Sequence, residues 1–485
     1  MSQGPARGDL YFWNYETVDL APYLVAGVNV IASVVWNEGR AKPESQISYL
    51  TGFIMQGNTL REKGIDTDSS WKVVKDISYR PLPVQVAGYY VAGPGEFVDM
   101  NKHVARWTQA GYDDSKWLNA SIIAPGTPKV AAVNTSGWML VPSPLPQMEM
   151  TIQRLSTARK AEGVVIPAGF PGKKTAVVIA ANTKATILLD QGFLTNAYPT
   201  LSFSGGKNAS LTMEYAESLY VGSKAEALRS FTKSNRNEVD GKVFIGRMDS
   251  LISDGSQNQE YTPLSWRTYR YVQLKVVTKG EGLTLNDIYG TFTGYPFIRN
   301  SEFTTDNASL TNILDVGWRT ARLCAFETYM DCPYYEQLQY IGDARIQALI
   351  SYYNSGDDRL ARNAITLMDH SRIAEGITQS RYPTDLKQEI PTFSLWWIGM
   401  VHDYYRYRND PTFVKGKLSG IRQVLSFFES YQQYDGSLKD VPYWVFTDWV
   451  ESNGWDFGMA PKGKQGESAV LDLTLLLAYR MAGEL

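Results

Sequence analysis

The spacing of apolar residues changes once along this chain, near Asn300, and divides it into two regimes. Before that point apolar and polar positions alternate. Leu211-Thr-Met-Glu-Tyr215 and Val272-Gln-Leu-Lys-Val276 have the period of two expected of half-buried strands. The run Asn29-Val-Ile-Ala-Ser-Val-Val-Trp36 is rich in β-branched residues and is read as a strand following the turn Val25-Ala-Gly-Val28. Turns such as Ser204-Gly-Gly-Lys-Asn208 separate such runs. Asp68-Ser-Ser-Trp71 and Asp114-Ser-Lys-Trp117 echo each other, each planting a tryptophan at a strand start, and are read as two edges of one sandwich. Pro142, Pro144 and Pro146 mark a linker or crossing.

After Asn300 the period is helical. Leu310, Ile313, Leu314, Gly317 and Trp318 share one face, and Ile346, Leu349, Ile350 and Tyr353 follow the same rule. Six helices are expected, at about 308–328, 343–355, 358–373, 392–408, 412–434 and 467–485, paired as antiparallel hairpins. The last is apolar around most of its circumference and needs partners on several sides. The expected organisation is a β-sandwich domain at 1–150, a second at 151–298 and a helical domain at 299–485.

Composition narrows the possibilities. A length of 485 residues suits about three domains. A net charge of −3 gives no electrostatic case for nucleic acid, and no run approaches the roughly 20 apolar residues of a membrane span. Cys324 and Cys332 cannot make a disulfide framework, and no cysteine or histidine cluster has metal-ligand spacing, so neither metal nor cofactor is expected. His103, His370 and His402 are too scattered to suggest a histidine-based centre. The 30 Tyr and 13 Trp serve mostly in cores, but their excess tilts the ligand question toward sugars, whose C–H faces pack on rings. The opening residues lack the apolar stretch of a signal peptide, and the chain is expected to be a fragment cut at both ends. Compartment and oligomeric state are not readable.

The chemistry concentrates in Asp331-Cys-Pro-Tyr-Tyr-Glu336-Gln-Leu-Gln-Tyr-Ile-Gly-Asp343, three acids among tyrosines. The bland reading is a capped helix start with solvated acids. Pro333 suits the first turn of a short helix; were that helix to continue, Glu336, Tyr340 and Asp343 would share a face. Gly342 favours a break at least as well, with Asp343 capping the next helix. Either way the acids converge, and crowded carboxylates raise one another's pKa, so that one serves as a general acid.

The run DCPYYEQLQYIGDARIQ resembles the signature of bacterial α-L-rhamnosidases, glycoside hydrolase family 78. The segments GPARGDLYFWNYETVDLAPYL, LLDQGFLTNAYPTLSFSGGKNASLTMEYAESLY, SWRTYRYVQL, RYPTDLKQEIPTFSLWW and DWVESNGWDFGMAPKGKQGESAVLDL are similar to other parts of that family, so the resemblance covers essentially the whole chain. It implies two β-sandwich domains followed by the first half of an (α/α)6 barrel. It also implies an inverting enzyme that removes terminal α-L-rhamnose from a rhamnose-containing glycoside or polysaccharide. Its two carboxyl groups would stand roughly 6.5–9.5 Å apart. By the same resemblance Glu336 is the general acid and Asp331 and Asp343 hold rhamnose hydroxyls. Tyr340 stacks on the sugar, Trp396 or Trp397 and Trp449 form aromatic walls, and Glu451 is a possible sugar ligand. Some relatives carry calcium, but no loop of alternating acids is visible. Tyr334-Tyr335 and Gln339-Tyr340 replace the Gln-Arg and Gly-Trp of many members, which puts leaving-group preference in doubt. The family's general base comes later in the barrel than this sequence extends, so it is expected beyond Leu485 and the fragment itself is expected to be inactive. The alternatives are another (α/α)6 glycosidase or a non-catalytic carbohydrate-binding protein.

Overall fold

The computed structural model describes residues 3–10, 12–48, 50–86, 88–129, 139–233 and 235–485. Both alternating runs form the strands their pattern predicts. Ser210–Ala216 and Arg267–Val277 pair antiparallel, burying Leu211, Met213, Tyr215, Val272, Leu274 and Val276 on one apolar face. The sheet's spine is the 22-residue strand Lys184–Gly205, which pairs with Thr157–Glu162, Gln259–Tyr261, Arg267–Val277 and Leu283–Gly294. An irregularity between Asp190 and Thr195 lets that one strand bend and serve both halves of the sheet.

This 11-stranded sheet draws strands from both sides of residue 150. Gly95–Asp99 pairs parallel with Arg247–Ile252, and Tyr79–Leu82 lies outside it. The fully buried Arg267 locks the junction through Asp249 at 2.8 Å and Glu96 at 3.2 Å. Removing one partner of such a buried pair costs about 3–5 kcal/mol, because the other charge is left desolvated.

The remaining strands of the first region are short: Phe12–Tyr15 with Met139–Pro142 and Thr127–Pro128, and Lys72–Val73 with Leu118–Asn119. The last pair explains the echoing tryptophans, since each Asp-x-x-Trp turn feeds one strand of a two-stranded ribbon. The strand expected at Asn29–Trp36 is absent. Val30, Val34 and Val35 face solvent with no ladder partner, and β-branching favours a strand only where a neighbour supplies one.

Helix α1 (Lys224–Ser230) belongs to the β region; α2 (Ala308–Leu323), α3 (Ile341–Asn354), α4 (Arg359–His370), α5 (Pro391–Tyr407), α6 (Pro411–Lys415), α7 (Leu418–Glu429) and α8 (Ala469–Glu484) follow. The single helix expected at 412–434 is two, parted at Gly416 and Lys417. Helix α5 is the hub, packed against α3, α4, α6, α7 and α8. Pro391–Leu395 and Trp397–Val401 are buried, which a run without a polar face requires.

Three expected faces turn out differently. On α2 Leu310, Ile313 and Leu314 are exposed, and only Leu323 is buried. Helix α3 buries Ile341, Ala344, Ala348, Ser351 and Tyr352, while Ile346 and Tyr353 face outward. That buried side includes the small residues Ala344, Ala348 and Ser351, so it is not the bulkiest one. Helix α8 buries Leu471, Leu475, Ala478 and Met481, whereas Leu473, Leu476 and Leu477 are exposed.

Candidate active site

Between α2 and α3 the chain forms a closed loop rather than the short helix that Pro333 suggested. Asp331 N–H donates to Leu338 O at 2.8 Å, and Leu338 N–H donates back to Asp331 Oδ1 at 2.9 Å. Gln337 N–H reaches Cys332 O at 3.1 Å with Gln337 in the left-handed region (φ 60°). The aspartate thus ties its own loop shut. Gly342 does not break α3. Tyr340 is its N-cap, Gly342 lies in the first turn, and a side chain there would crowd the Phe393 ring at 3.1 Å.

Three surfaces hold this loop. Tyr334 OH donates to Tyr215 O at 2.8 Å in the β-sheet, and Thr268 Oγ1 donates to Pro333 O at 2.7 Å. Tyr335 O accepts from Val91 N–H and Ala92 N–H at 2.8 and 3.1 Å. Gln339 bridges Tyr329 N–H and Tyr382 O, at 3.1 and 2.9 Å. Tyr334 and Gln339, two of the substitutions that departed from the resemblance, are therefore buried tethers rather than leaving-group contacts.

The three acids come together. Glu336 and Asp331 share a side-chain hydrogen bond, and burial together with the Asp331 charge pushes Glu336 up to about 7. Arg381 opposes that rise, as does the hydroxyl of Tyr340, 3.4 Å from Glu336 Oε2. Burial raises Asp331 too, against hydrogen bonds from Leu338 and Cys332. Asp343 rises to about 6, first through burial and then through the charges of Asp331 and Asp448. The thiol of Cys324, at the end of α2, is pushed up to about 12 by burial and by both aspartates, which places it against the same cluster. A carboxyl that stays protonated near neutrality beside an ionised partner is the arrangement a proton donor needs.

The aromatic candidates divide. Tyr340 meets Phe393 edge-on at 6.3 Å, Phe393 meets Phe446 at 5.9 Å, and Phe446 meets Trp449 at 5.2 Å. Trp449 is 64% exposed, with Trp444 and Phe457 also beside it. Trp397 is not a wall: it is fully buried, and its Nε1–H donates to Ile365 O at 3.1 Å, leaving no face for a sugar. Trp396 lies under the Arg345 guanidinium, 5.1 Å away, at the junction of α3 and α5, with Arg345 held by Asp403 at 2.7 Å. Glu451 is exposed in the loop after Trp449, whereas Asp448 is the loop acid whose charge reaches Asp343.

Reasoning from the chain alone missed Arg381 and Asp448. Arg381 donates to Tyr340 OH at 2.7 Å, and its polar neighbours Gln379, Ser380 and Thr384 give no local sign of that contact. The three histidines pair elsewhere, with Asp76, Asp9 and Glu484 at 2.8 Å. Among the described residues no group of three or more His, Cys, Asp or Glu is arranged to hold a metal ion, and no helix is long and apolar enough to cross a membrane.

Closed acidic loop, helical hub and bent sheet together define a class, the β-sandwich plus six-hairpin glycosidase architecture. Residues 299–485 match the family model described as the bacterial alpha-L-rhamnosidase 6 hairpin glycosidase domain. The structure is similar to the GH78 rhamnosidase of Bacillus sp. GL1 (TM-score 0.74, 14% identity), over 99% of this chain and 68% of that one. It is similar to the rhamnose-bound rhamnosidase of Klebsiella oxytoca (TM-score 0.55, 16% identity), over 70% and 66%. It also resembles the Streptomyces avermitilis α-L-rhamnosidase complexed with L-rhamnose (TM-score 0.54, 17% identity), over 82% and 34%. The chain thus spans from about a third to about two thirds of the length of these enzymes. No curated protein matches it. The fold is that of family 78 α-L-rhamnosidases, with β-sheet domains ahead of a six-hairpin glycosidase domain.

Proposed function

We propose that the protein is an α-L-rhamnosidase that releases terminal rhamnose from a rhamnoside with inversion, using Glu336 as the general acid. The observation that carries this reading is the closed loop that holds Asp331 and Glu336 together out of water, where burial and the Asp331 charge push Glu336 up to about 7. In the proposed step the Glu336 proton passes to the glycosidic oxygen as the C1–O bond breaks, and water attacks C1 from the opposite face with help from a base. Protonation matters most where the leaving alcohol is a poor one, and general acids contribute about 10²–10⁴-fold in such cases.

Asp343, at the start of α3, and Asp331 are proposed to accept hydrogen bonds from rhamnose hydroxyls. The Tyr340–Phe393–Phe446–Trp449 ring sequence offers an apolar side for the sugar's methyl group, with Trp449 its exposed end. Trp396 and Glu451 have no observed link to the acids and are not assigned a part.

The test uses two rhamnosides and one variant of the full-length protein. With a poor alcohol leaving group, Glu336→Gln is expected to lose most turnover; with an activated aryl rhamnoside it is expected to keep a large share. Rhamnose affinity, followed by calorimetry, should survive the substitution. Equal loss on both substrates would move the acid role to another residue, and absence of both turnover and rhamnose binding in the unsubstituted protein would overturn the reading.

A further inference from the structure

Arg381 has a setting that core packing alone does not demand. The chain at 380–382 runs antiparallel beside 339–341, with Ile341 N–H donating to Ser380 O at 3.0 Å and Tyr382 N–H to Gln339 O at 3.3 Å. That pairing fixes Arg381 next to Tyr340. Its side chain is 2% exposed, and every acceptor it meets is a side chain. Nη1 donates to Tyr340 OH at 2.7 Å and to Tyr89 OH at 3.2 Å, while Nη2 lies 3.0 Å from Glu44 Oε2. Its Nε–H is buried with no protein acceptor. Tyr340 OH accepts from Arg381 and faces Glu336 at 3.4 Å, so one hydroxyl stands between the cation and the acid.

The other two partners come from the first region, Tyr89 being 292 residues away in sequence and Glu44 farther still. Glu44 is itself held: its N–H donates to Val91 O at 3.1 Å, its carbonyl accepts from Asp385 N–H at 2.7 Å, and Tyr89 OH donates to its carboxylate at 3.1 Å. Lys42 and Asp385 close the same joint at 2.5 Å. The groups facing Glu336 are therefore Asp331 and Cys332 on its own loop, Tyr340 at the head of α3, and Arg381 ahead of α5. Tyr89 and Glu44 stand behind Arg381.

Resting on the reading of Glu336 as the acid, we propose that Arg381 is a positioning residue for it. Glu44 and Tyr89 set that hold from the N-terminal region. Arg381 favours the ionised form of Glu336, Asp331 favours the protonated form, and the balance decides where the acid titrates. Glu44 takes part of the guanidinium's field and so leaves Glu336 more easily protonated. The N-terminal region then acts on the chemistry instead of merely flanking the helices.

The experiment follows the Glu336 carboxyl carbon by NMR through a pH titration of the full chain, its signal assigned by its loss in Glu336→Gln. Arg381→Gln is expected to raise the midpoint by about one unit, the size of a nearby charge screened by partial solvent. Arg381→Lys, which keeps the charge, should return most of that shift. Glu44→Gln should move the midpoint the other way, by about half a unit. Midpoints unmoved in all three variants, with only melting temperature lowered, would make Arg381 purely structural and overturn the proposal. Glu44→Gln and Arg381→Gln shifting in the same direction would also overturn it. If Arg381→Gln does not fold, Glu44→Gln and Tyr89→Phe decide, Tyr89 being half-exposed. Because the readout is a titration, a protein without rhamnoside hydrolysis would count against the proposed activity and leave this result standing by itself.

Discussion

Two loops in this molecule have nearly the same ingredients. Asp331–Asp343 and Asp448–Asp456 each hold three acids among aromatic residues. In the first, the backbone closes on Asp331, three surfaces tether the turn, and the acids are half-buried and in mutual contact. In the second, Asp448, Glu451 and Asp456 are exposed, and Asp448 accepts chiefly from its neighbour Trp449 N–H at 2.7 Å. Residue types are alike; desolvation is not. A carboxylate's pKa rises when the scaffold removes its water or brings another negative charge near, and of these two loops the first does both.

That contrast can be broken by substitution, and the largest effect belongs to the acid. Glu336→Gln should lower kcat/KM on a rhamnoside with a poor leaving group by about a thousandfold. Next comes Asp343→Asn, expected to lower kcat/KM by about 10- to 100-fold through lost hydrogen bonds from sugar hydroxyls to a charged acceptor. An unchanged value would remove Asp343 from the site.

Asp331→Asn keeps an Oδ1 acceptor for Leu338 N–H but removes the neighbouring charge. The alkaline limb of the pH–rate profile should then fall by about one unit, because Glu336 ionises more readily. A limb that rises instead would show that the pair does not couple as described.

A smaller effect is thermodynamic. Glu336 titrates higher folded, at about 7, than at its ordinary 4.5, so the fold binds the extra proton between those values. Its contribution is intact at low pH and is lost as pH rises through the folded value. Glu336→Gln should therefore melt higher than the unsubstituted protein at pH 8, by the equivalent of about 1 kcal/mol after solvent screening, and no higher at pH 4. Smallest of all, Glu451→Gln should change kcat/KM by less than about twofold; an effect as large as that of Asp343→Asn would erase the distinction between the loops.

What could be read from the chain followed the range of the interactions. Leu211–Tyr215 and Val272–Val276 announced themselves because one buried face imposes a strict alternation. The acidic run was legible because Asp331, Glu336 and Asp343 are neighbours in sequence. Asn29–Trp36 misled, since β-branching reports a preference that needs a partner strand. Ile346 and Tyr353 misled because the buried side of α3 carries the small residues Ala344, Ala348 and Ser351. Trp397 looked like a sugar wall, yet only the packing of α4 and α7 reveals that its ring is enclosed: its indole bonds Ile365 O, and Gly420 leaves it room. Arg381 was hidden because its partners, Glu44, Tyr89 and Tyr340, lie in three distant segments and no local pattern joins them.

The central claim is that the Asp331–Glu336 pair keeps a carboxyl protonated near neutrality. Its most direct test is the pH titration of the Glu336 carboxyl carbon in the unsubstituted protein. A midpoint near 7, as burial and the Asp331 charge require, would support the account; a midpoint at the ordinary 4.5 would contradict it.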